Sequence, residues 1–149
     1  MDLELAYDRI YRYAYFRLGD RTAAEDITQE TFLRFFAKYG ELREYDMRIL
    51  YTIARNLCID EYRRIKPQAL PEEDTNVTAV SDDGAEERIL VREALSKLPR
   101  EEQEILLLRH VNGETPGTIG KLLNLSRFAV YRRLKTAEEH FRKEMEAEG

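Results

Sequence analysis

The feature that most constrains this fold is an acidic stretch with two prolines at residues 66–87. It carries seven acidic residues against one lysine, includes a glycine, and shows no apolar periodicity of either the helical or the strand kind. This composition is typical of a linker and not of a packed element. The flanking segments of roughly 60 residues each suit small domains with limited cores. We therefore predict domains at 1–66 and 87–149, joined by a flexible acidic linker at 67–86.

The first domain is predicted to contain three helices, because apolar side chains recur at helical spacing in three stretches. The predicted helices span residues 2–18, from Thr22 to about Lys38, and about 45–65. Gly19 and Asp20 end the first helix, and Thr22 with Glu25 predicts a capping box at the start of the second. The predicted core positions are Leu3, Ala6, Tyr7, Ile10 and Ala14, then Ile27, Thr31, Phe32, Phe35 and Phe36, then Met47, Leu50, Ile53, Ala54, Leu57 and Cys58.

The second domain is predicted to contain four helices. They span about 85–97, from Pro99 to near Gly113, from Thr115-Pro116 to Leu123, and from Ser126 to about Glu146. Asn124 suits a left-handed turn, and Ser126 is a typical N-cap for the last helix. The predicted core positions of the last helix are Val130, Leu134, Ala137 and Phe141. A short helix, a tight turn and a longer basic helix form a helix-turn-helix, so the sequence predicts an all-α fold that ends in this motif.

The composition argues against several classes of protein. No long apolar run occurs, so no membrane insertion is expected. The acidic N-terminus lacks the apolar core of a signal peptide, so we expect a cytoplasmic protein. Cys58 is the only cysteine, and neither His110 nor His140 has partners at ligand spacing, so we expect no metal site, a core position for Cys58 and surface positions for both histidines. Without a glycine-rich phosphate loop or a nucleophile motif, neither an enzyme nor a cofactor is expected.

The net charge of −5 hides a basic segment, because the acidity is concentrated in the linker. Residues 66–87 carry a net charge of −6, whereas residues 88–149 carry +2. Residues 119–137 contain five cations and no acidic residue. These cations, which we call the basic set, are Lys121, Arg127, Arg132, Arg133 and Lys135. A local excess of five positive charges on one helix pair is typical of a phosphate-binding surface.

The second predicted helix carries a mixed polar and apolar face opposite its core stripe. This face, which we call the Leu33 face, consists of Asp26, Gln29, Glu30 and Leu33 at i, i+3, i+4 and i+7. One interpretation is a solvated face with a single exposed leucine. The other is a protein-docking face, in which an apolar anchor is ringed by hydrogen-bonding side chains.

Three strings in order resemble bacterial sigma factors of the extracytoplasmic-function (ECF) group, within the sigma-70 family. Residues 24–34 resemble sigma region 2, and residues 49–57 with the following Asp60 and Arg63-Arg64 resemble its downstream part. Residues 98–109 and the helix-turn-helix after them resemble region 4. The sequence departs from the family where Ile49 replaces the usual Trp and where Ala129-Val130-Tyr131-Arg132-Arg133-Leu134 replaces a Thr-Val-Lys-Ser-Arg-Leu string.

The resemblance implies a promoter-specificity subunit of RNA polymerase without catalysis of its own. It assigns the Leu33 face to the clamp helices of the polymerase β′ subunit, and the β flap is a further implied contact. The first domain would also capture the non-template strand of the −10 element, through stacking rings and hydrogen-bonding groups. The implied −10 contacts are Tyr39, Arg43, Tyr45, Arg48, Arg55, Asn56, Arg63 and Arg64.

The helix-turn-helix would read the −35 element of promoter DNA. The implied contacts are Lys121, Ser126, Arg127, Phe128, Tyr131, Arg132, Arg133 and Lys135. Base readout is expected from the N-terminal part of the last helix, at Arg127, Phe128, Tyr131 and Arg132, where the rings suit thymine methyl groups. Phosphate contacts are expected from Lys121, Arg133 and Lys135. An anti-sigma protein, which often binds members of this family, is a further candidate partner.

Two alternatives remain open at the level of sequence. A stand-alone helix-turn-helix regulator would bind an operator and never contact the polymerase core, and tight specific duplex binding by the isolated protein would favour it. A pure interaction protein would bind the core without opening a promoter.

Overall fold

The computed structural model describes residues 2–40, 45–65 and 85–148, which form helices and turns without a strand. They belong to two compact units, the N-terminal unit and the C-terminal unit. The predicted all-α fold is confirmed. The predicted linker at 67–86 lies outside the described residues up to residue 84. The helices are α1 Leu3–Leu18, α2 Arg21–Tyr39 and α3 Met47–Ile65 in the N-terminal unit, and α4 Ala85–Ser96, α5 Arg100–Leu106, α6 Pro116–Leu123 and α7 Arg127–Glu148 in the C-terminal unit.

The N-terminal unit packs α1, α2 and α3 against one another around an aromatic core. The rings of Tyr13 and Tyr51 meet edge to face at 5.5 Å, and both side chains are buried. Phe35 is fully buried, and the centre of its ring lies 5.2 Å from the centre of the Tyr39 ring. Rings in these arrangements stabilise a core beyond the area that they bury. Most predicted core positions of the three helices are confirmed as buried, Cys58 among them.

The predicted core differs from the observed core in both directions. Four predicted positions are only half-buried: Tyr7, Phe36, Ile53 and Leu57. Ala24 and Thr28 are buried although they were not predicted to be. Leu3 is 45% exposed, because it is the first residue of α1 and the buried stripe of that helix begins only at Ala6. Tyr13 and Tyr51 were not predicted to be buried, since a phenol hydroxyl needs a partner away from water. For Tyr13 that partner is Arg17, whose guanidinium donates to the hydroxyl at 2.7 Å.

The start of α2 also differs from the prediction. Asp20 is the N-cap, and its carboxylate accepts a hydrogen bond from the Ala23 amide at 2.9 Å. Thr22 therefore lies inside the first turn, and the predicted capping box with Glu25 is wrong. An aspartate at this position satisfies a free amide and interacts favourably with the positive end of the helix dipole.

The C-terminal unit has an aliphatic core, in which α4 and α5 pack on α7, and α6 packs on α7 beside them. Its most buried large side chains are Ile105, Leu108, Ile119 and Val130. The predicted core positions of the last helix are confirmed as buried at Val130, Leu134 and Ala137. Phe141 is only half-buried.

A π-helical turn at Leu107–Val111 continues α5 and was not predicted. The Asn112 amide donates to the Leu107 carbonyl at 3.0 Å and closes this wider turn. Such turns are rare and leave little trace in apolar periodicity, which explains why the sequence pattern missed it. Pro99, predicted as the first residue of the helix, lies just before α5 as its N-cap residue.

The predicted helix-turn-helix is confirmed in α6, the following turn and α7. Thr115 caps α6, because its hydroxyl accepts from the Thr118 amide at 3.1 Å. Asn124 adopts a left-handed conformation with φ 62°, and Ser126 caps α7 by accepting from the Ala129 amide at 3.1 Å. A Cβ at Gly120 would lie 2.6 Å from the Leu125 carbonyl oxygen, so the close approach of the turn to α6 requires glycine there.

Candidate functional site

The Leu33 face lies on the outside of α2, as predicted. Leu33 is 63% exposed, which is high for an aliphatic side chain in the middle of a long helix. Asp26 and Gln29 are exposed beside it. Glu30 is half-exposed and accepts a hydrogen bond from Arg34 at 2.8 Å. The face therefore presents one apolar side chain within a polar, net negative surround.

Two buried threonines help to fix the rotation of α2. Thr28 donates to the Ala24 carbonyl and Thr31 donates to the Ile27 carbonyl, each at 2.7 Å. Because these bonds satisfy the hydroxyls within the helix, both threonines can pack in the core with Phe35. With that stripe buried, the opposite side of α2 faces outward.

Two of the predicted −10 contacts, Tyr39 and Tyr45, belong to the aromatic cluster of the N-terminal unit. The Tyr45 ring lies 6.2, 6.0 and 6.1 Å from the rings of Phe32, Phe35 and Phe36. Both tyrosines are half-buried, so each presents only part of its ring. The predicted contact Arg43 lies outside the described residues.

A cavity of about 280 Å³ opens where the end of α2 meets the start of α3. Its lining residues are Lys38, Tyr39, Arg48, Ile49, Thr52 and Ile53. The Lys38 ammonium lies 5.7 Å from the centre of the Tyr39 ring. The cavity thus combines two cationic side chains with a ring and an aliphatic wall, which suits a flat apolar group that carries negative charge nearby.

The sequence pattern missed Lys38, Thr52 and Ile53 as lining residues of this cavity. The spacing of Thr52, four residues after Arg48, was the available signal, because the two then share one helix face. The Thr52 hydroxyl donates to the Arg48 carbonyl at 2.8 Å.

The outward side of α3 carries the remaining predicted −10 contacts. Asn56, Arg63 and Arg64 are exposed, whereas Arg55 is half-buried. Arg64 donates two hydrogen bonds to Glu61, at 2.6 and 3.3 Å. These bonds raise the pKa of Arg64, so its guanidinium stays charged, although Glu61 offsets part of that charge.

The start of α7 exposes two aromatic rings beside a guanidinium. Phe128 is 70% exposed and Tyr131 is 55% exposed, while Val130 between them is buried. The Arg132 guanidinium carbon lies 5.4 Å from the centre of the Phe128 ring. The structure therefore brings three of the four predicted base-reading side chains onto the outer side of α7.

The basic set lies on the surface of α6 and α7. All five cations are exposed, and in the described part of the chain none of them pairs with a carboxylate. The Arg127 guanidinium reaches back to α6, where a Cβ added at Gly117 would lie 3.2 Å from it. The Ser126 hydroxyl, predicted to contact DNA, is already used by the N-cap of α7.

Both histidines lie at the surface of the C-terminal unit, as predicted. Each contacts a carboxylate from a distant part of the sequence, which spacing alone does not reveal. His110 is 2.8 Å from Glu138, and His140 is 2.9 Å from Glu102. Among residues 2–40, 45–65 and 85–148, no three metal-ligating side chains come together. No helix in these ranges is long and apolar enough to cross a membrane.

Comparison with known families divides the chain at the same place as its fold. Residues 4–67 match Sigma-70 region 2, and residues 88–141 match Sigma-70, region 4. The chain is similar to the ECF RNA polymerase sigma factor SigL of Mycobacterium tuberculosis, at 30% identity over 86% of this chain and 77% of the relative. SigW of Bacillus subtilis is 28% identical over 96% of this chain and 86% of the relative.

A third relative is longer than this chain. BldN of Streptomyces coelicolor is 30% identical over 87% of this chain, but the chain spans only 54% of it. Two solved structures share the fold. CnrH, in complex with the cytosolic domain of CnrY, has a TM-score of 0.72 at 19% identity, covering 95% of this chain and 83% of CnrH. RpoE of Bartonella quintana, in complex with the anti-sigma factor NepR, has a TM-score of 0.66 at 17% identity, covering 97% of this chain and 94% of RpoE.

The two helical units and the two matched regions define a sigma-70-type initiation factor. Within that class, the chain belongs to the ECF RNA polymerase sigma factors.

Proposed function

We propose that this protein is a promoter-specificity subunit that binds core RNA polymerase and directs it to promoters. The observation that carries the proposal is the Leu33 face of α2, where a strongly exposed leucine lies within polar side chains. An apolar anchor with a polar rim is the usual anatomy of a protein interface. On this proposal the Leu33 face binds the clamp helices of the β′ subunit. The β flap is proposed as a second polymerase contact of the chain.

The −10 element is assigned to the junction of α2 and α3. The cavity there supplies a ring and two cations, and α3 continues with Asn56 and Arg63 exposed on its outer side. Trapping separated bases on such a surface favours the open form of the duplex, because the unstacked strand gains contacts that the paired strand cannot make. No residue acts as a catalyst in this mechanism.

The −35 element is assigned to α7. Its N-terminal half carries exposed side chains of both base-reading and phosphate-binding types, and the buried Val130 and Leu134 lie on the side of the helix that packs on the rest of the unit. A recognition helix positioned in this way enters the major groove with its first turns. The basic set then neutralises phosphates on either side.

An anti-sigma protein is proposed as a further partner. The similar structures are complexes, CnrH with the cytosolic domain of CnrY and RpoE with the anti-sigma factor NepR. A partner of this kind would compete for the surfaces assigned to polymerase. On this proposal the protein acts in the cytoplasm, where it would meet core polymerase.

Size-exclusion co-elution with purified bacterial core polymerase tests the proposal. Leu33→Asp is expected to weaken core binding by about 30-fold or more, as for a buried interface anchor. Leu5→Asp is the matched control, because Leu5 is a 55% exposed leucine on α1 of the same unit and lies outside the Leu33 face. Circular dichroism checks that both variants stay helical. Normal co-elution of the Leu33→Asp variant would contradict the docking assignment.

The second candidate function is a stand-alone helix-turn-helix regulator, which the unpaired cations of α6 and α7 also favour. It predicts specific duplex binding by the isolated chain and no co-elution with the core. The sigma proposal predicts the reverse, since a single small module of this kind binds duplex DNA weakly at physiological salt.

A further inference from the structure

Phe128 and Arg132 lie one helical turn apart on the outer side of α7 and contact each other. The ring holds the guanidinium by a cation–π interaction, which restricts the planar group to the neighbourhood of the ring. In the described part of the chain no carboxylate pairs with Arg132, so its five donors are available to a ligand. Phe128 contributes almost nothing to the core of the unit, because most of its surface is exposed.

The chemistry of the two groups matches two different features of the major groove. A guanidinium donates two parallel hydrogen bonds to O6 and N7 of guanine, which is the commonest specific arginine contact. An apolar ring packs against the C5 methyl group of a pyrimidine. Neighbouring bases on one strand are about 3.4 Å apart along the axis, so two side chains in mutual contact can reach adjacent bases.

We propose that Phe128 and Arg132 form one reading unit for a guanine that has a C5-methylated pyrimidine as its neighbour on the same strand. The methyl group can be that of thymine or of 5-methylcytosine, since both present it at the same place in the groove. Binding at such a step is then sensitive to the methyl group and not only to base pairing. The inference rests on the proposed role of α7 in promoter recognition and adds the sequence step that it prefers.

The neighbouring ring provides a comparison within the same helix turn. Tyr131 is also exposed, but the structure places no cation over its ring among the described residues. Tyr131 can therefore add contact area without being coupled to a guanine-reading group. This difference separates the proposed reading unit from a general contribution of exposed aromatic side chains.

The test begins with holoenzyme reconstituted from the full chain and core polymerase. Duplexes with a randomised upstream region are selected by binding, and the enriched upstream element is read by sequencing. The duplex that binds holoenzyme most tightly is then synthesised as two pairs that differ at the pyrimidine next to the guanine. One pair carries thymine or uracil there, and the other carries 5-methylcytosine or cytosine. We expect each methylated duplex to bind about fourfold more tightly than its unmethylated partner, as for one buried methyl group.

Three variants locate the effect. Phe128→Ala is expected to abolish the methyl preference in both pairs, whereas Tyr131→Ala lowers affinity and keeps the preference. Arg132→Lys keeps the charge but loses the planar fork, so preference for guanine at the adjacent position should fall by about fivefold or more.

The outcomes separate the inference from the function on which it rests. Two results would overturn the reading unit while leaving the sigma function in place. In one, the enriched upstream element contains no guanine beside a pyrimidine. In the other, holoenzyme binds the methylated and unmethylated duplexes with equal affinity. A methyl preference that survives Phe128→Ala overturns it equally. Failure to form holoenzyme, or to select any duplex, contradicts the proposed function and therefore the inference as well.

Discussion

The two units of this chain place their aromatic rings in opposite locations. Twelve of the fifteen aromatic residues of the sequence precede the linker. In the N-terminal unit four of them, Tyr13, Phe32, Phe35 and Tyr51, are buried in the core. In the C-terminal unit the core is aliphatic. Among the described residues of this unit, the two most exposed large hydrophobic side chains are the rings of Phe128 and Tyr131.

This difference fits the two kinds of recognition proposed for the two helical units. Rings in the core give a three-helix unit many contacts per residue. Among the described residues of that unit, the most exposed large apolar side chain is Leu33, which suits a protein surface. Mostly leucine and isoleucine fill the C-terminal core. The exposed rings of α7 are proposed to contact the flat, methyl-bearing edges of bases. The location of the rings therefore distinguishes the unit proposed to dock on polymerase and hold the −10 element from the unit proposed to read the −35 element.

The largest expected effect tests whether the rings hold the N-terminal unit together. Phe35→Ala should lower the free energy of unfolding of that unit by about 3–5 kcal/mol, because the side chain is fully buried among rings. A loss of this size approaches the whole stability of a small core, so α1, α2 and α3 should lose protection in hydrogen exchange.

The matched variant in the other unit is Leu108→Ala. Because this side chain is fully buried, its truncation should lower the free energy of unfolding of the C-terminal unit by about 2–5 kcal/mol. The loss of protection in hydrogen exchange should then occur in α5, α6 and α7. Unchanged exchange in α1 to α3 after Phe35→Ala would contradict the aromatic account of that core.

The next effect concerns two glycines of α6 with opposite expected signs. Gly120→Ala should destabilise the C-terminal unit by about 1–3 kcal/mol, because its Cβ would meet the backbone oxygen of Leu125. At Gly117 the nearest atom belongs to the flexible Arg127 side chain, so Gly117→Ala should be neutral or stabilising by up to about 1 kcal/mol. Thermal unfolding measures both, and equal effects at the two positions would be inconsistent with the close turn.

A smaller effect distinguishes the observed cap of α2 from the predicted one. Asp20→Ala should lower the free energy of unfolding by about 1 kcal/mol, because the Ala23 amide loses its hydrogen-bond partner. Thr22→Ala should cost much less, because Thr22 lies inside the helix and caps nothing. Urea unfolding can compare the two, and a larger loss for Thr22→Ala would restore the capping box.

The smallest effect concerns a phosphate contact of the C-terminal unit. Lys135→Ala should remove one cation from the DNA interface of the holoenzyme, so raising salt from 50 to 200 mM should weaken binding about threefold less than in the wild type. Lys143→Ala is the control, as an exposed lysine of the same helix outside the basic set. Equal salt slopes for all three proteins would remove Lys135 from the interface.

Most of the fold was predictable because helical periodicity and capping residues are local signals. The start of α6 follows from Thr115, and the turn between α6 and α7 follows from Asn124 and Ser126; each of these residues acts within a few residues of itself. The π-helical turn and the burial of Tyr51 could not be predicted, because they depend on how α5 and α3 pack against other helices. The choice of Asp20 over Thr22 as a cap was missed because both are common N-caps.

The candidate site was predictable where it lies on one helix. Periodicity alone placed Leu33 outward and Val130 inward, and the structure agrees on both. Contacts between helices could not be predicted from periodicity. Examples are the cavity lined by Lys38 and Arg48 and the two histidine–glutamate pairs. The coupling of Arg132 to Phe128 lies between these cases, since the four-residue spacing permits it but only the side-chain conformations show it.

Promoter-dependent transcription by reconstituted holoenzyme tests the central claim most directly, that the N-terminal unit docks on polymerase through the Leu33 face and the C-terminal unit reads the −35 element. On a promoter obtained by selection, the account predicts transcript from the wild type and none from Leu33→Asp, which does not join the core. Arg132→Ala should join the core normally and still lose most of its transcript. Full transcription by Leu33→Asp, or loss of core binding by Arg132→Ala, would contradict the division of roles between the two units.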